Sequence, residues 1–165
     1  MATPFEFSAS TPATIDELWQ CYQDAAFWEM RMSAAGSEND KLTSFEATDS
    51  GIEIEFQQVV DSTHIPSFVS KIHTGDLPIS RKATYNAPEG ESINAVSSGE
   101  ALGGILRVSG TLVCTREGNV TTETVKGTAT ASVPLIGKKI EKLVIDFLSE
   151  AHQRELDTVQ DYLNS

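Results

Sequence analysis

From Ile136 to Leu163 the apolar residues Ile136, Ile140, Leu143, Val144, Phe147, Leu148, Ala151, Leu156, Val159 and Leu163 recur at three- and four-residue intervals. That spacing is one face of an α-helix. Pro134 stands where a first helical residue would, since its missing N–H costs nothing there. The segment therefore predicts a helix from Pro134 to Leu163, about 45 Å long at about 1.5 Å per residue. An amphipathic helix of this length draws its stability from burying its stripe. The rest of the chain must supply a long apolar surface.

That surface reads as a sheet. Phe5 and Phe7 alternate with Glu6 and Ser8, the period of a half-buried strand. Thr11-Pro12 predicts the start of a short helix carrying Ile15, Leu18, Trp19 and Tyr22. A second short helix is expected to hold Phe27, Trp28 and Met30 and to end near Gly36. Leu42–Thr48 and Ile52–Val60 then flank the turn Asp49-Ser50-Gly51. Ile52, Ile54 and Phe56 face one way, and Glu53, Glu55 and Gln57 the other, so the sheet has one dry and one wet face. Ile79–Tyr85 pairs with Ser92–Ser98 across Pro88-Glu89-Gly90, and Ile105–Arg116 with Val120–Val133 across Glu117-Gly118-Asn119. Between Asp61 and Asp76, Pro66 breaks any strand, and Phe68, Val69 and Ile72 suggest a short helix or an ordered loop. The expected fold is α+β: about seven antiparallel strands in a curved sheet wrapped around the terminal helix, with two short helices after the first strand. Its 165 residues suit a single domain spanning 1–165.

The formal net charge is −12, and residues 1–50 carry nine acids against two bases. Such a surface repels phosphate backbones and anionic lipid, so nucleic acid and membrane insertion are not expected. No apolar run reaches the about 20 residues of a membrane span. The start, MATPFEFSAS, lacks the basic and apolar regions of a secretory signal. Cys21 and Cys114 sit among apolar neighbours without metal-type spacing and read as reduced, buried thiols. A cytoplasmic location is the expectation.

Strand, two short helices, six strands and a long terminal helix is the order of the helix-grip fold. The chain resembles the START-like (SRPBCC) superfamily, which includes lipid-transfer domains, pollen allergens and polyketide cyclases. More narrowly, it is similar to an actinobacterial family of unknown function within that superfamily. The stretches IPSFVSKI, Ile65 to Ile72, and GTATASVPLIGKKIEKLVIDFL, Gly127 to Leu148, carry that likeness. The superfamily resemblance implies a hydrophobic cavity between sheet and helix; the narrower one implies no activity and no catalytic residue.

The last strand offers the most informative local reading. One face shows Glu123, Val125, Gly127, Ala129, Ala131 and Val133, and must point inward. Small side chains there either let the helix approach closely or leave volume for a guest, which would need a few hundred Å³ or more. Glu123 shares the inner parity and is expected at a rim in water, or else as a polar anchor. Arg107 is expected outside. Phe68, Val69 and Ile72 are candidates for a lid or for a satellite cluster under a loop, and the rings of Trp19, Tyr22, Phe27 and Trp28 for pocket or core. With Phe56, Tyr85, Ile140, Val144 and Phe147, these residues form the candidate cavity. His64, His73 and His152 have no ligand spacing, His152 falls on the helix's polar face, and neither metal nor cofactor is expected. Lys138, Lys139 and Lys142 oppose the helix dipole, which suggests either salt bridges to nearby acids or a site for an anionic group.

Three functions remain open. The first is binding or carriage of a small hydrophobic or amphipathic molecule. The second is a cyclase- or hydratase-like enzyme on a hydrophobic substrate, for which Glu123, Tyr85 or His73 would supply acid or base. The third is a non-catalytic interaction or regulatory module with a vestigial cavity. A homo-oligomer is compatible with each.

Overall fold

The terminal helix, α3, runs Gly137–Leu163 across the concave face of a seven-stranded sheet. The computed structural model describes residues 2–35 and 40–165. The strands are β1 (Thr3–Thr11), β2 (Lys41–Ala47), β3 (Gly51–Val60), β4 (Leu77–Asn86), β5 (Ser92–Ala101), β6 (Leu106–Glu117) and β7 (Val120–Ala131). Their order is β1-β7-β6-β5-β4-β3-β2, and every pair is antiparallel. The short helices α1 (Ile15–Tyr22) and α2 (Ala25–Ala35) follow β1. Among the described residues, no helix is long and apolar enough to cross a membrane.

The helix starts differ from expectation. α1 begins at Ile15, not at Thr11-Pro12, because Thr14 and Glu17 form a capping box. Thr14 Oγ1 accepts from the Glu17 N–H at 3.1 Å, and Glu17 Oε1 accepts from the Thr14 N–H at 2.9 Å. Two orphan donors are thereby satisfied, which Thr11-Pro12 could not do. α3 begins at Gly137, three residues after Pro134. Leu135 takes a left-handed φ of 71°, and that turn brings the Gly137 N–H to the Val133 carbonyl at 3.0 Å. A Cβ at Gly137 would stand 2.6 Å from the Ala131 carbonyl oxygen, so only glycine fits where the strand bends into the helix. The stop near Gly36 lies outside the described residues. Asp61–Asp76 holds two single 3-10 turns, Ser62–His64 and Val69–Lys71, rather than a helix.

Two apolar clusters lie between the layers, and α3 contributes to both. Leu156 and Val159 join Leu18, Tyr22, Phe27, Ile52, Ile54 and Ile93 in one. Ile140 and Val144 join Val69, Ile79, Leu106, Ala129 and Ala131 in the other. The inner parity of β7 is as read from sequence: Thr121, Glu123, Ala129 and Ala131 are buried. Gly127 is small for its neighbours, not for the helix. A Cβ there would lie 2.2 Å from the Ser109 carbonyl oxygen and 2.8 Å from both the Gly110 Cα and the Phe5 ring.

Leu156 is fully buried and Leu143 is 38% exposed on the same helix. Leu156→Ala is expected to lower the unfolding free energy by about 2–5 kcal/mol, and Leu143→Ala by no more than about 1 kcal/mol, both read from urea denaturation. Gly127→Ala is expected to cost at least about 1–3 kcal/mol through overpacking. Its atoms would meet backbone that cannot swing aside, so the same titration should show a lower midpoint.

Candidate functional site

A cavity of about 90 Å³ lies between the sheet and α3. Ile54 and Phe56 of β3, Leu112 of β6, Val125 of β7, and Val144 and Phe147 of α3 give it an apolar wall. Arg31 of α2, Gln58, Arg81 of β4, His152 and Glu155 give it a polar one. The volume falls short of the few hundred Å³ anticipated from the small residues of β7. Those residues do not bound it: Gly127 receives the Phe5 ring, while Ala129 and Ala131 pack with Ile140.

Of the other residues singled out from sequence, Trp28, Phe56, Tyr85, Val125, Val144 and Phe147 line the cavity. Phe27 is fully buried in the first cluster, and Trp19 packs against that cluster. Phe68 packs on the second cluster together with Ile65, and Ile72 is 36% exposed. Neither Phe68 nor Ile72 lines the cavity. His73 is tied into its own loop: its Nε2 lies at donating distance, 2.8 Å, from the Asp76 carbonyl oxygen. Arg107 is exposed, as anticipated, and its Nε donates to the Gly104 carbonyl at 3.0 Å.

Two residues stand against expectation. Glu123 is fully buried, not at a rim in water. Its Oε2 accepts from the Tyr22 hydroxyl at 2.6 Å and from the Cys114 thiol at 3.2 Å. Cys114 is its direct cross-strand partner, so the sheet register itself delivers one donor. Its Oε1 makes no hydrogen bond, and His152 Nε2 lies 3.7 Å away. His152 is 4% exposed, not on the polar face: its Nε2 lies 3.2 Å from the Glu123 carbonyl oxygen, and its ring meets Phe7 edge-on at 5.2 Å. Burial and the neighbouring Glu123 charge both push the Cys114 thiol well up; burial, with Glu17 and Asp24, pushes Cys21 to about 12. Both cysteines are free thiols.

The second polar group was not anticipated. Glu155 receives Arg31 Nη2 at 3.3 Å on one carboxylate oxygen and Arg81 Nη1 at 3.4 Å on the other. Arg81 Nη1 also donates to Gln58 Oε1 at 2.9 Å, and its guanidinium lies over the Phe56 ring at 4.7 Å. Phe56 is directly opposite Arg81 across the β3–β4 ladder, which fixes that stacking. Arg31 lies over the Trp28 ring at 5.1 Å, and its Nη1 is buried without a hydrogen bond. Burial alone would raise the Glu155 carboxyl, but the attraction of Arg81 and Arg31 outweighs it and holds the group below its ordinary range. The signal for this cluster was present as parity. Arg81 sits between Ile79 and Ala83 on the inner face of β4, Gln58 continues Ile54 and Phe56, and Arg31 follows Phe27 by one helical turn. Among the described residues, no three His, Cys, Asp or Glu gather as a metal site.

The fold has solved counterparts. The crystal structure of TTHA0849 from Thermus thermophilus superposes with a TM-score of 0.59 at 14% identity, covering 96% of this chain and 95% of that one. Ara h 8.0201 gives a TM-score of 0.58 at 11% identity, with full coverage of both chains at 100%. These likenesses concern the fold alone. In sequence, uncharacterised proteins of Mycobacterium tuberculosis and Mycobacterium bovis are 26% identical over 157 residues, spanning 91% of this chain and 90% of theirs. Residues 6–163 match the family model described as protein of unknown function DUF2505, and the chain belongs to that family.

Proposed function

We propose that this protein is a START-like binding protein that holds a small apolar or amphipathic molecule in the cavity between sheet and helix. The observation that carries the reading is the cavity itself, enclosed by Ile54, Phe56, Leu112, Val125, Val144 and Phe147. A site with an apolar wall and a few placed polar groups is what small-molecule recognition requires. Its volume, about 90 Å³, sets the scale of the enclosed portion. A cavity of about 150 Å³ accepts benzene, so a handful of heavy atoms fits here and a lipid chain does not without repacking.

Binding is favoured over catalysis by the state of the polar wall. Glu155 is held ionised by two guanidiniums and is a poor proton donor near neutrality. His152 turns Nε2 toward the Glu123 backbone carbonyl. The buried, unpaired thiols of Cys21 and Cys114 suit a reducing compartment, and the reading places the protein in the cytoplasm.

Ala83 lies in the cavity wall and is 8% exposed. Ala83→Leu is expected to fill the space, leaving the fold intact and weakening uptake of 1-butanol as the probe by about tenfold or more, equivalent to about 1.4 kcal/mol. Isothermal titration calorimetry, paired with a melting curve, checks this. Native mass spectrometry of freshly purified protein gives a second check. Equal probe binding by both forms, or no uptake by the natural protein, would sink the proposal.

A further inference from the structure

The polar wall of the cavity holds a buried charged donor without an acceptor. Within it two guanidiniums, Arg31 and Arg81, share the single carboxylate of Glu155. Both contacts, at 3.3 and 3.4 Å, are longer than the about 2.7–2.9 Å of a well-formed charge-assisted hydrogen bond. Lys82 and Glu100 also border the space, but they carry opposite charges, and Lys82 pairs with Glu55 at 3.7 Å on the exposed side. Glu123 attracts Arg31 from behind the wall, with one oxygen already committed to Tyr22 and Cys114. Arg31 is 7% exposed, lines the cavity, and leaves Nη1 without an acceptor.

A buried N–H of a charged group left unpaired is costly, and a guanidinium fork is shaped for two carboxylate oxygens. We infer that the cavity is a site for a small carboxylic acid, whose carboxylate is received by Arg31 Nη1 and Arg81 and whose apolar part lies against Phe56, Val144 and Phe147. The bound anion gives Arg31 Nη1 the acceptor it lacks. This inference rests on the reading of the cavity as a ligand site, and it commits that site to a charge and a size.

Isothermal titration calorimetry with matched probes tests it: butyrate against 1-butanol, and hexanoate against 1-hexanol, at pH 7 and fixed ionic strength. Each carboxylate is expected to bind the natural protein at least about tenfold more tightly than its alcohol. Arg31→Lys keeps the charge but loses the fork, and should shrink that preference. The triple variant Arg31→Met, Arg81→Met and Glu155→Met removes both cations and the carboxylate they share, so none of the three charges is left unpaired. It should abolish the preference while alcohol binding persists. Equal affinity for carboxylate and alcohol overturns the carboxylate site and leaves the cavity reading standing. A preference that survives the folded triple variant places the carboxylate elsewhere and also overturns it. Binding of none of the four probes removes both. Should the triple variant fail to fold, the ratio measured on the natural protein decides alone.

Discussion

The burial of α3 is the constraint on which the rest of the structure depends. The helix has little to hold it on its own account. Its first residue follows Ile136, which offers no side-chain cap, and its opening turn carries Lys138 and Lys139 against the positive end of the dipole. No basic residue lies in its last turn. Fully or nearly burying Ile140, Val144, Leu156 and Val159, at about 1.5–3 kcal/mol each, outweighs these local costs. The two apolar clusters are separate, and both count α3 among their walls. Loss of α3 would open the sheet's concave face along its whole length.

Apolar contact alone would let such a helix slide or rotate on the sheet, and the polar residues of its buried face prevent that. Glu141 accepts from the Ala131 N–H at 2.8 Å, from Thr3 and from Lys138 at 3.1 Å, tying the first turns of α3 to β7 and β1. His152 meets the backbone of β7 at Glu123. Glu155 reaches α2 and β4 through Arg31 and Arg81. Each is buried, so each is costly if its partner moves. Three anchors spaced along the helix, reaching β7, β1, α2 and β4 between them, fix its register.

Those same residues mark the limit of what the sequence makes legible. The strands and the terminal helix follow from periodicity: Ile52, Ile54 and Phe56 on β3, and the stripe on α3, behave as their spacing demands. Polar residues at apolar parity do not announce themselves. His152 interrupts the stripe and reads as part of the polar face, although it lies next to buried Ala151, and Glu155 likewise stands next to buried Leu156. Glu123 has inner parity yet looks too costly to bury, since its donors Tyr22 and Cys114 come from another helix and another strand. The cavity is harder still. Gly127 and Ala129 suggest space, but the volume they leave is taken by Phe5 and Ile140, and only the assembled layers show where space remains.

Why any space remains follows from the chemistry of its wall. An apolar void of this kind has little to stop it closing, because neighbouring side chains gain contacts by relaxing into it. Here one side of the void is Arg31, with Trp28 beneath its guanidinium and Nη1 directed at no acceptor. Packing Val144 or Phe147 onto that group would desolvate a charged donor without pairing it. Arg81, half-buried and stacked on Phe56, extends the same wall through the shared Glu155. The ion cluster therefore acts as a prop: it resists hydrophobic collapse, and it also supplies the donor through which a guest could be recognised.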